Sequence, residues 1–229
     1  MLTLLKSKRL KAGLLGDMPT IYAASTANVY IVGIVKQSST AIVAKGDLHV
    51  RLIAGKRIGD IDALSAHYSL LQGLASAGIA ASQVDALARG GIDEFSAWET
   101  APTILLEGND HNHIVFRGVS TDYFVIKENF VKRSPHTTLE LVAAFVRMID
   151  WMRRSRHNTE KAFVWAMKDA ALFSGKPNQL SVEQVVAITR RDILDIPSAP
   201  VMLSDTSDAT LQKEFQFLKV LGKLQASAK

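Results

Sequence analysis

The stretch Val29-Tyr30-Ile31-Val32-Gly33-Ile34-Val35, followed closely by Ala41-Ile42-Val43-Ala44, decides the fold class. Both runs are almost continuously apolar and short enough to be strands, a pattern typical of strands that are covered on both faces. Such strands occur in parallel or mixed sheets. The sequence therefore predicts a sheet with helices packed against it.

Helical segments alternate with these strands in the first half of the chain. Residues 18–24 follow Gly16 and Asp17, and residues 65–77 place Leu70, Leu71 and Leu74 on one helix face before Gly78. Alternation of strands with helices indicates an α/β protein.

The second half of the chain is predicted to be rich in helices. Thr137 and Glu140 have the spacing of a capping box, and apolar residues then recur at helical spacing. The later predictions are a helix over 159–173 that ends before Gly175, a helix that begins at Ser181 with Gln184 as its capping-box partner, the proline-rich segment 196–200 as a link, and a last helix that carries Leu211, Phe215 and Leu218 before Gly222. We expect these helices to pack on the sheet of the first half.

Composition excludes several kinds of site. The 229 residues include no Cys, so disulfides, thiolate nucleophiles and cysteine metal sites are excluded. The formal net charge of +5 favours anionic partners, but Lys and Arg are spread along the chain and nucleic acid is not an expected partner.

The longest strongly apolar run, residues 29–35, is far below the roughly 20 residues of a membrane-spanning helix. The N-terminal residues 1–13 lack a long apolar region and are not predicted to be a secretory signal.

Six segments, in this order, resemble the solute-binding proteins of ABC importers in the nitrate, taurine and alkanesulfonate family. The four stronger ones are Gly16-Asp17-Met18-Pro19-Thr20-Ile21-Tyr22-Ala23-Ala24, Lys36-Gln37-Ser38-Ser39-Thr40-Ala41-Ile42-Val43, Ser65-Ala66-His67-Tyr68-Ser69-Leu70-Leu71 and Ile92-Asp93-Glu94-Phe95-Ser96-Ala97-Trp98-Glu99. The two weaker ones are Tyr123-Phe124-Val125-Ile126-Lys127-Glu128-Asn129-Phe130 and Leu211-Gln212-Lys213-Glu214-Phe215-Gln216-Phe217-Leu218.

The resemblance implies an α/β protein with the two-lobed periplasmic-binding-protein type II fold, in which each lobe is a mixed sheet flanked by helices. Residues 1–45 and 121–229 would form the first lobe, and residues 46–120 the second. It also implies a periplasmic or membrane-anchored, extracytoplasmic protein, expected to be a monomer. Its partners would be a small anionic ligand (a sulfonate, nitrate or carboxylate) and the permease and ATPase of an importer. No enzymatic activity, cofactor or metal is expected.

The first candidate group for an anion is the start of the helix at Ser65. Oriented N–H groups at a helix N-terminus and nearby hydroxyls suit an oxyanion. The Ser65 hydroxyl and the backbone N–H groups of Ala66 and His67 are the expected donors. The alternatives are that Ser65 only caps its own helix and that His67 is structural.

Two further candidate groups follow predicted strands. The hydroxyls of Ser38, Ser39 and Thr40 would stand at the rim of the sheet, where α/β proteins bind ligands. Gly16 would let the backbone approach a ligand closely, with Asp17 beside it. An ordinary polar turn at 38–40 and a helix cap at Asp17 are the alternatives.

Trp98 and Tyr123 are candidate walls for the organic part of a ligand, because aromatic faces supply apolar area around a few polar anchors. Trp98 in an ordinary core is the alternative. His111 and His113 alternate as metal ligands on a strand could, but no third ligand is evident and a loop explains them.

Two other functions remain open on the sequence alone. One is an enzyme on the same scaffold, such as a thiamine-pyrimidine synthase or a menaquinone-pathway dehydratase, since fold does not dictate function. The cysteine-rich motif of the synthases is excluded by the absence of Cys. The other is a cytosolic sensor with a binding-protein-like effector domain.

Overall fold

The structure is a computed structural model, and it describes residues 2–7, 10–86, 92–178, 180–190 and 205–224. Within these residues the strands are β1 (Ala12–Gly16), β2 (Val29–Lys45), β3 (Arg57–Gly59), β4 (Asp85–Ala86), β5 (Glu94–Trp98) and β6 (Asn112–Lys127). The α-helices are α1 (Leu2–Lys6), α2 (Asp17–Ala27), α3 (Ser65–Ser76), α4 (Ala101–Gly108), α5 (Glu128–Arg133), α6 (Pro135–Arg154), α7 (Arg156–Ser174), α8 (Val182–Thr189) and α9 (Asp205–Val220). The mixed α/β fold and the helix-rich second half are confirmed.

The six strands form one sheet in the order β1-β6-β2-β5-β3-β4. The two long strands β2 and β6 form an antiparallel pair at the centre of the sheet. β1 pairs with residues 122–126 of β6, and β5 pairs with residues 40–44 of β2. β3 lies parallel to both β5 and β4. The sheet is therefore mixed, and the two long strands run continuously from its β1 end to its β5 end.

The prediction that one strand ends and another starts at Ser38, Ser39 and Thr40, with their hydroxyls at the rim of the sheet, is wrong, and so is the alternative of a polar turn. They lie inside β2, where residues 36–42 pair with β6 in unbroken register from Lys36↔Asp122 to Ile42↔Phe116. The backbone groups of this polar stretch are satisfied by the neighbouring strand, so a loss of apolar side chains does not require the strand to end.

Both faces of the sheet are covered around β6, as the apolar runs predict. Tyr123 and Val125 pack with residues of β1 and α2 on one face, whereas Phe124 and Ile126 pack with α6 on the other. At the opposite end, Ile42 packs with residues of α3 in a separate apolar cluster. The alternation of side chains along a strand produces this two-sided core.

The helix boundaries confirm some sequence signals and correct one. Ser181 and Gln184 form the predicted capping box, with the Gln184 N–H donating to Ser181 Oγ at 3.2 Å. Gly175 ends α7 in the left-handed conformation, at φ 65°. The predicted box of Thr137 and Glu140 is wrong, because α6 already begins at Pro135. A proline fits the first turn of a helix, where its missing N–H has no helical partner.

The last helix reaches further than expected. Leu218 of α9 packs with Met18 of α2 and also with Ala63 in the loop before α3. Lys223, just after α9, forms an ion pair with Asp62 of the same loop at 2.6 Å. α9 and the residues just after it therefore contact both α2 and the loop before α3. The predicted link 196–200 lies outside the described residues. Among the described helices, none has the length and apolar character needed to span a membrane.

Candidate ligand-binding cleft

Two helix N-termini meet at one cavity beside the β2–β6 pair. Gly16 leads from β1 directly into α2, and α3 begins at Ser65. Both helix starts line a cavity of about 400 Å³, together with side chains of the long strands. The lining residues are Gly16, Asp17, Pro19, Lys36, Ser38, Leu64, Ser65, Trp98, Glu99, Ser120 and Asp122.

The register of the strands explains why polar side chains gather there. Lys36 pairs with Asp122, and two residues further along Ser38 pairs with Ser120. Because side chains alternate between the two faces of a sheet, these two rows lie on one face. Lys36 Nζ and Asp122 Oδ2 are 3.5 Å apart, so the ammonium group of this row has a carboxylate partner.

Ser65 is not the N-cap of α3. Leu64 occupies the cap position without a side-chain hydrogen bond, and the helix begins at Ser65 itself. The Ser65 hydroxyl instead accepts a hydrogen bond from the Ser120 hydroxyl at 3.3 Å. The interpretation that Ser65 only caps its own helix is therefore wrong, and its hydroxyl faces the strands.

Asp17 is the first residue of α2 and is almost completely buried, with 1% of its surface exposed. Its Oδ1 accepts a hydrogen bond from the Met18 N–H at 2.7 Å. Burial raises the pKa of the Asp17 carboxyl, and hydrogen bonds from Met18 and Ser120 oppose that rise. Gly16 occupies the N-cap position of α2, so the alternative that Asp17 caps the helix is wrong. The Asp17 side chain forms part of the cavity wall.

Ser39 and Thr40 do not line the cavity. The Thr40 hydroxyl is fully buried and donates to Ser69 Oγ at 2.6 Å, which joins β2 to α3. Gly118 lies opposite Thr40, and a Cβ there would stand 2.4 Å from Ser69 Oγ. The Ser39 hydroxyl donates to Glu99 Oε1 at 3.4 Å.

Ala66 and His67 are not among the residues that line the cavity, and their backbone N–H groups remain predicted donors. The Ala66 carbonyl accepts a hydrogen bond from Ser96 Oγ at 2.9 Å. His67 Nδ1 accepts one from the Ala63 N–H at 3.2 Å, and its ring lies edge-on to Phe217 at 5.6 Å. Burial lowers the pKa of His67, opposed by Asp62. These contacts give His67 a structural setting.

The two aromatic candidates have different positions. Trp98 lines the cavity and is 37% exposed, so its face is available to a ligand. Tyr123 is fully buried in the cluster with Leu15 and Ala23. Of the ten predicted site residues, the cavity therefore brings together Gly16, Asp17, Ser38, Ser65 and Trp98.

Sequence reasoning missed Lys36, Glu99, Ser120 and Asp122 of the cavity wall and the buried Glu214. Ser120 and Asp122 occupy alternate positions of a strand-like run, a signal that was available in the sequence. Glu214 of α9 lies three residues after Leu211 and four before Leu218, on the apolar stripe of its helix, and is 1% exposed. A charged residue on such a stripe is a signal of a buried polar contact.

The pair His111 and His113 does not form a metal centre in the described part of the chain. His113 Nε2 lies 2.6 Å from the Leu48 carbonyl, and no group of three potential ligands is found among the described residues.

No protein-family model and no curated protein sequence matches this chain significantly. Solved structures do match. The periplasmic aliphatic sulphonate binding protein SsuA from Escherichia coli is 15% identical, with a TM-score of 0.72 over 98% of this chain and 75% of that chain. The alkanesulfonate-binding protein SsuA from Xanthomonas axonopodis pv. citri, bound to MOPS, is 19% identical, with a TM-score of 0.63 over 98% and 80%. The desulfurization enzyme DszB is 14% identical, with a TM-score of 0.62 over 95% and 80%. The chain therefore has the α/β fold shared by the periplasmic sulfonate-binding proteins.

Proposed function

We propose that this protein is an extracytoplasmic solute-binding protein that captures a small organic sulfonate, such as an aliphatic or taurine-like sulfonate, for an ABC importer. One observation carries the proposal: the N-termini of α2 and α3 and the hydroxyls of Ser38 and Ser65 converge on one cavity. Helix N-termini and hydroxyl groups are suitable donors for an oxyanion.

The size and wall of the cavity suit a ligand with an organic part. Its volume of about 400 Å³ lies within the range of ordinary small-molecule sites. Trp98 offers a partly exposed aromatic face beside the hydroxyls. The likeness to a sulfonate-binding protein that holds MOPS, itself a sulfonate, supports the same ligand class.

The transport role includes two lobes that close on the ligand. We place the first lobe at residues 1–45 and 121–229 and the second at 46–120, with β2 and β6 as the two connections. An importer permease and ATPase would receive the loaded protein, which would act as a monomer outside the cytoplasm. These partners and this location are part of the sulfonate proposal, and evidence against sulfonate binding would also count against them.

A second candidate is an enzyme that acts on an organosulfur compound, which the likeness to DszB favours. Its nucleophile would have to be a group other than a thiolate, since the chain contains no Cys. Among the residues that line the cavity there is no His to serve as the base for a serine nucleophile. Binding without chemistry therefore agrees better with the composition of the cavity.

Calorimetric titration with ethanesulfonate, taurine, nitrate and acetate tests the proposal. A sulfonate should bind with the highest affinity and should be recovered chemically intact after prolonged incubation. Stoichiometric conversion of the sulfonate would favour the enzyme. Failure of every sulfonate to bind would reject the ligand class.

Hydroxyl variants locate the ligand. Ser38→Ala and Ser65→Ala should each weaken sulfonate binding by about 1 to 3 kcal/mol, roughly 5- to 150-fold, because a buried acceptor loses its partner. Ser76→Ala is a matched control, since Ser76 lies at the far end of α3 and donates to the Gly73 carbonyl. If neither cavity variant differs from this control, the ligand binds elsewhere.

A further inference from the structure

A second cavity of about 280 Å³, here called the side cavity, adjoins the candidate cleft and shares two wall residues with it, Trp98 and Glu99. The rest of its wall is formed by Ile61, Phe95, Ser96, Ala97, Thr100 and Ala101. Because Trp98 borders both spaces, a ligand that extends from the cleft past this side chain would enter the side cavity.

The unequal lengths of two neighbouring strands create the side cavity. β3 ends at Gly59, which pairs with Phe95 of β5. β5 continues to Trp98, which pairs with Thr40 of β2. Beyond Phe95, β5 therefore has a paired strand on one side only within the described residues, and the loop between β3 and α3 borders the open side with Ile61.

The wall of the side cavity offers mainly apolar surface to a ligand. Ile61 is 48% exposed and Trp98 is 37% exposed, and Phe95 adds a second aromatic ring. The Ser96 hydroxyl already donates to the Ala66 carbonyl at 2.9 Å. Covering exposed apolar side chains is favourable, so a group bound there would be stabilised chiefly by apolar and aromatic contacts.

The charge in the side cavity determines which end of a sulfonate can enter it. Among the described residues of its wall, Glu99 is the one with a charged side chain. Its carboxylate accepts hydrogen bonds from the hydroxyls of Ser39 at 3.4 Å and Thr103 at 2.8 Å, beside the first turn of α4. A negative charge is thus already present at this helix start, which disfavours a second anion there. The sulfonate group would remain at the N-termini of α2 and α3.

The spacing along the strands matches a flat ligand with more than one ring. Ser38 lies two residues along β2 from Thr40, the partner of Trp98, which corresponds to about 7 Å. A ring attached to a sulfonate at Ser38 would reach Trp98 over this distance, and a second, fused ring would extend into the side cavity. Aromatic rings gain from offset or edge-to-face contact with Trp and Phe in addition to the burial of apolar area.

We propose that the cleft and the side cavity together bind an aromatic sulfonate. Its sulfonate group binds at the N-termini of α2 and α3, and its rings lie on Trp98 and extend toward Ile61 in the side cavity. The inference rests on the proposed function, because it requires a sulfonate at those helix N-termini. Trp98 and Ile61 then determine specificity, and no bond of the ligand is made or broken.

Titration calorimetry with benzenesulfonate, cyclohexanesulfonate and 2-naphthalenesulfonate tests this ligand class. Benzenesulfonate and cyclohexanesulfonate have the same charge and the same number of carbons, so their comparison isolates the effect of aromaticity. Benzenesulfonate should bind at least about twofold tighter, the lower end of the gain expected from an aromatic contact. 2-Naphthalenesulfonate should bind about five- to twentyfold tighter than benzenesulfonate, because its second ring would bury about 40 to 70 Å² more apolar surface.

Variants of the side cavity should change the affinity for the second ring alone. Ala101→Leu places bulk in the side cavity, so the affinity for 2-naphthalenesulfonate should fall to about that for benzenesulfonate, whereas benzenesulfonate binding should stay unchanged. Ile61→Ala should lower the affinity for 2-naphthalenesulfonate by about two- to fivefold, because it removes part of the apolar wall. Leu172→Ala, which removes an 80% exposed apolar side chain from α7, is the matched control.

The outcomes separate this inference from the proposed function. Cyclohexanesulfonate binding as tightly as benzenesulfonate, or 2-naphthalenesulfonate binding no tighter than benzenesulfonate, overturns the aromatic ligand and leaves sulfonate binding intact. Failure of all these sulfonates and of ethanesulfonate to bind overturns both proposals. Should Ala101→Leu not fold, an Ile61→Ala protein with the native preference for 2-naphthalenesulfonate over benzenesulfonate would equally overturn the inference.

Discussion

Replacing Glu214 with a glutamine should change how the stability of the protein depends on pH. In the folded protein, burial and the neighbouring Asp17 raise the pKa of Glu214 from 4.5 to about 9. A group with a raised folded pKa stabilises the fold fully below its unfolded pKa, and this contribution is lost as pH rises through the folded pKa. The relevant window for Glu214 is therefore pH 4.5 to 9.

The size of the effect follows from the proton that the folded state binds and the unfolded state does not. Within the window this one group lowers the free energy of unfolding by about 1.4 kcal/mol for each pH unit of increase, or about 2.7 kcal/mol between pH 6 and pH 8. The amide of the Glu214→Gln variant cannot titrate. The difference in stability between variant and native protein should therefore shift by about that amount in favour of the variant from pH 6 to pH 8.

Urea unfolding at pH 6, 7 and 8 measures this shift. Asp60 and Glu94, whose pKa values burial raises to about 7, also contribute to the pH dependence, but they are present in both proteins and cancel in the difference. Glu140→Gln should run parallel to the native protein, because the Glu140 side chain is 65% exposed. Parallel curves for the native protein and Glu214→Gln would refute the inference that Glu214 binds a proton in the folded protein.

Other perturbations test the packing, the cleft wall and the hinge. Gly118→Ala should destabilise the fold by about 1 to 3 kcal/mol, because the new Cβ would meet Ser69 Oγ at 2.4 Å and Thr40 Oγ1 at 2.6 Å; an unchanged urea midpoint would contradict this contact. Trp98→Ala should lower the calorimetric affinity for butanesulfonate more than that for ethanesulfonate, since the larger alkyl group would lose more apolar contact area. Equal losses of affinity would show that Trp98 does not contact the alkyl part of the ligand. Small-angle scattering should show a smaller radius of gyration with saturating sulfonate than without it, and an unchanged value would argue against lobe closure. Lys223→Ala should leave the thermal midpoint nearly unchanged, because both members of its ion pair with Asp62 are exposed; a large drop would make this contact a principal support of α9.

Local signals in the sequence predicted helix ends and strands correctly where a single side chain or a short apolar run determines them. Gly175 and the Ser181–Gln184 pair mark helix ends through their own hydrogen bonds and backbone geometry. The apolar run before Lys36 predicted a strand covered on both faces, since burial on both sides leaves no polar alternation. The polar stretch 38–40 misled because its strand is satisfied by β6, which is some 80 residues distant in sequence.

Some residues of the candidate site were likewise found from the sequence, and others only from the tertiary structure. The chain alone determined an α/β fold, and its resemblance singled out Gly16, Asp17, Ser38, Ser65 and Trp98, which the cavity does bring together. Only the tertiary structure decided that Thr40 and His67 serve packing and that Tyr123 lies beneath the cleft. It alone placed Glu214 against Asp17, about 200 residues apart in the sequence. The physical reason is that hydrogen bonding and burial depend on which distant elements meet, whereas the signals carried by a short segment report only its own turn, period and charge.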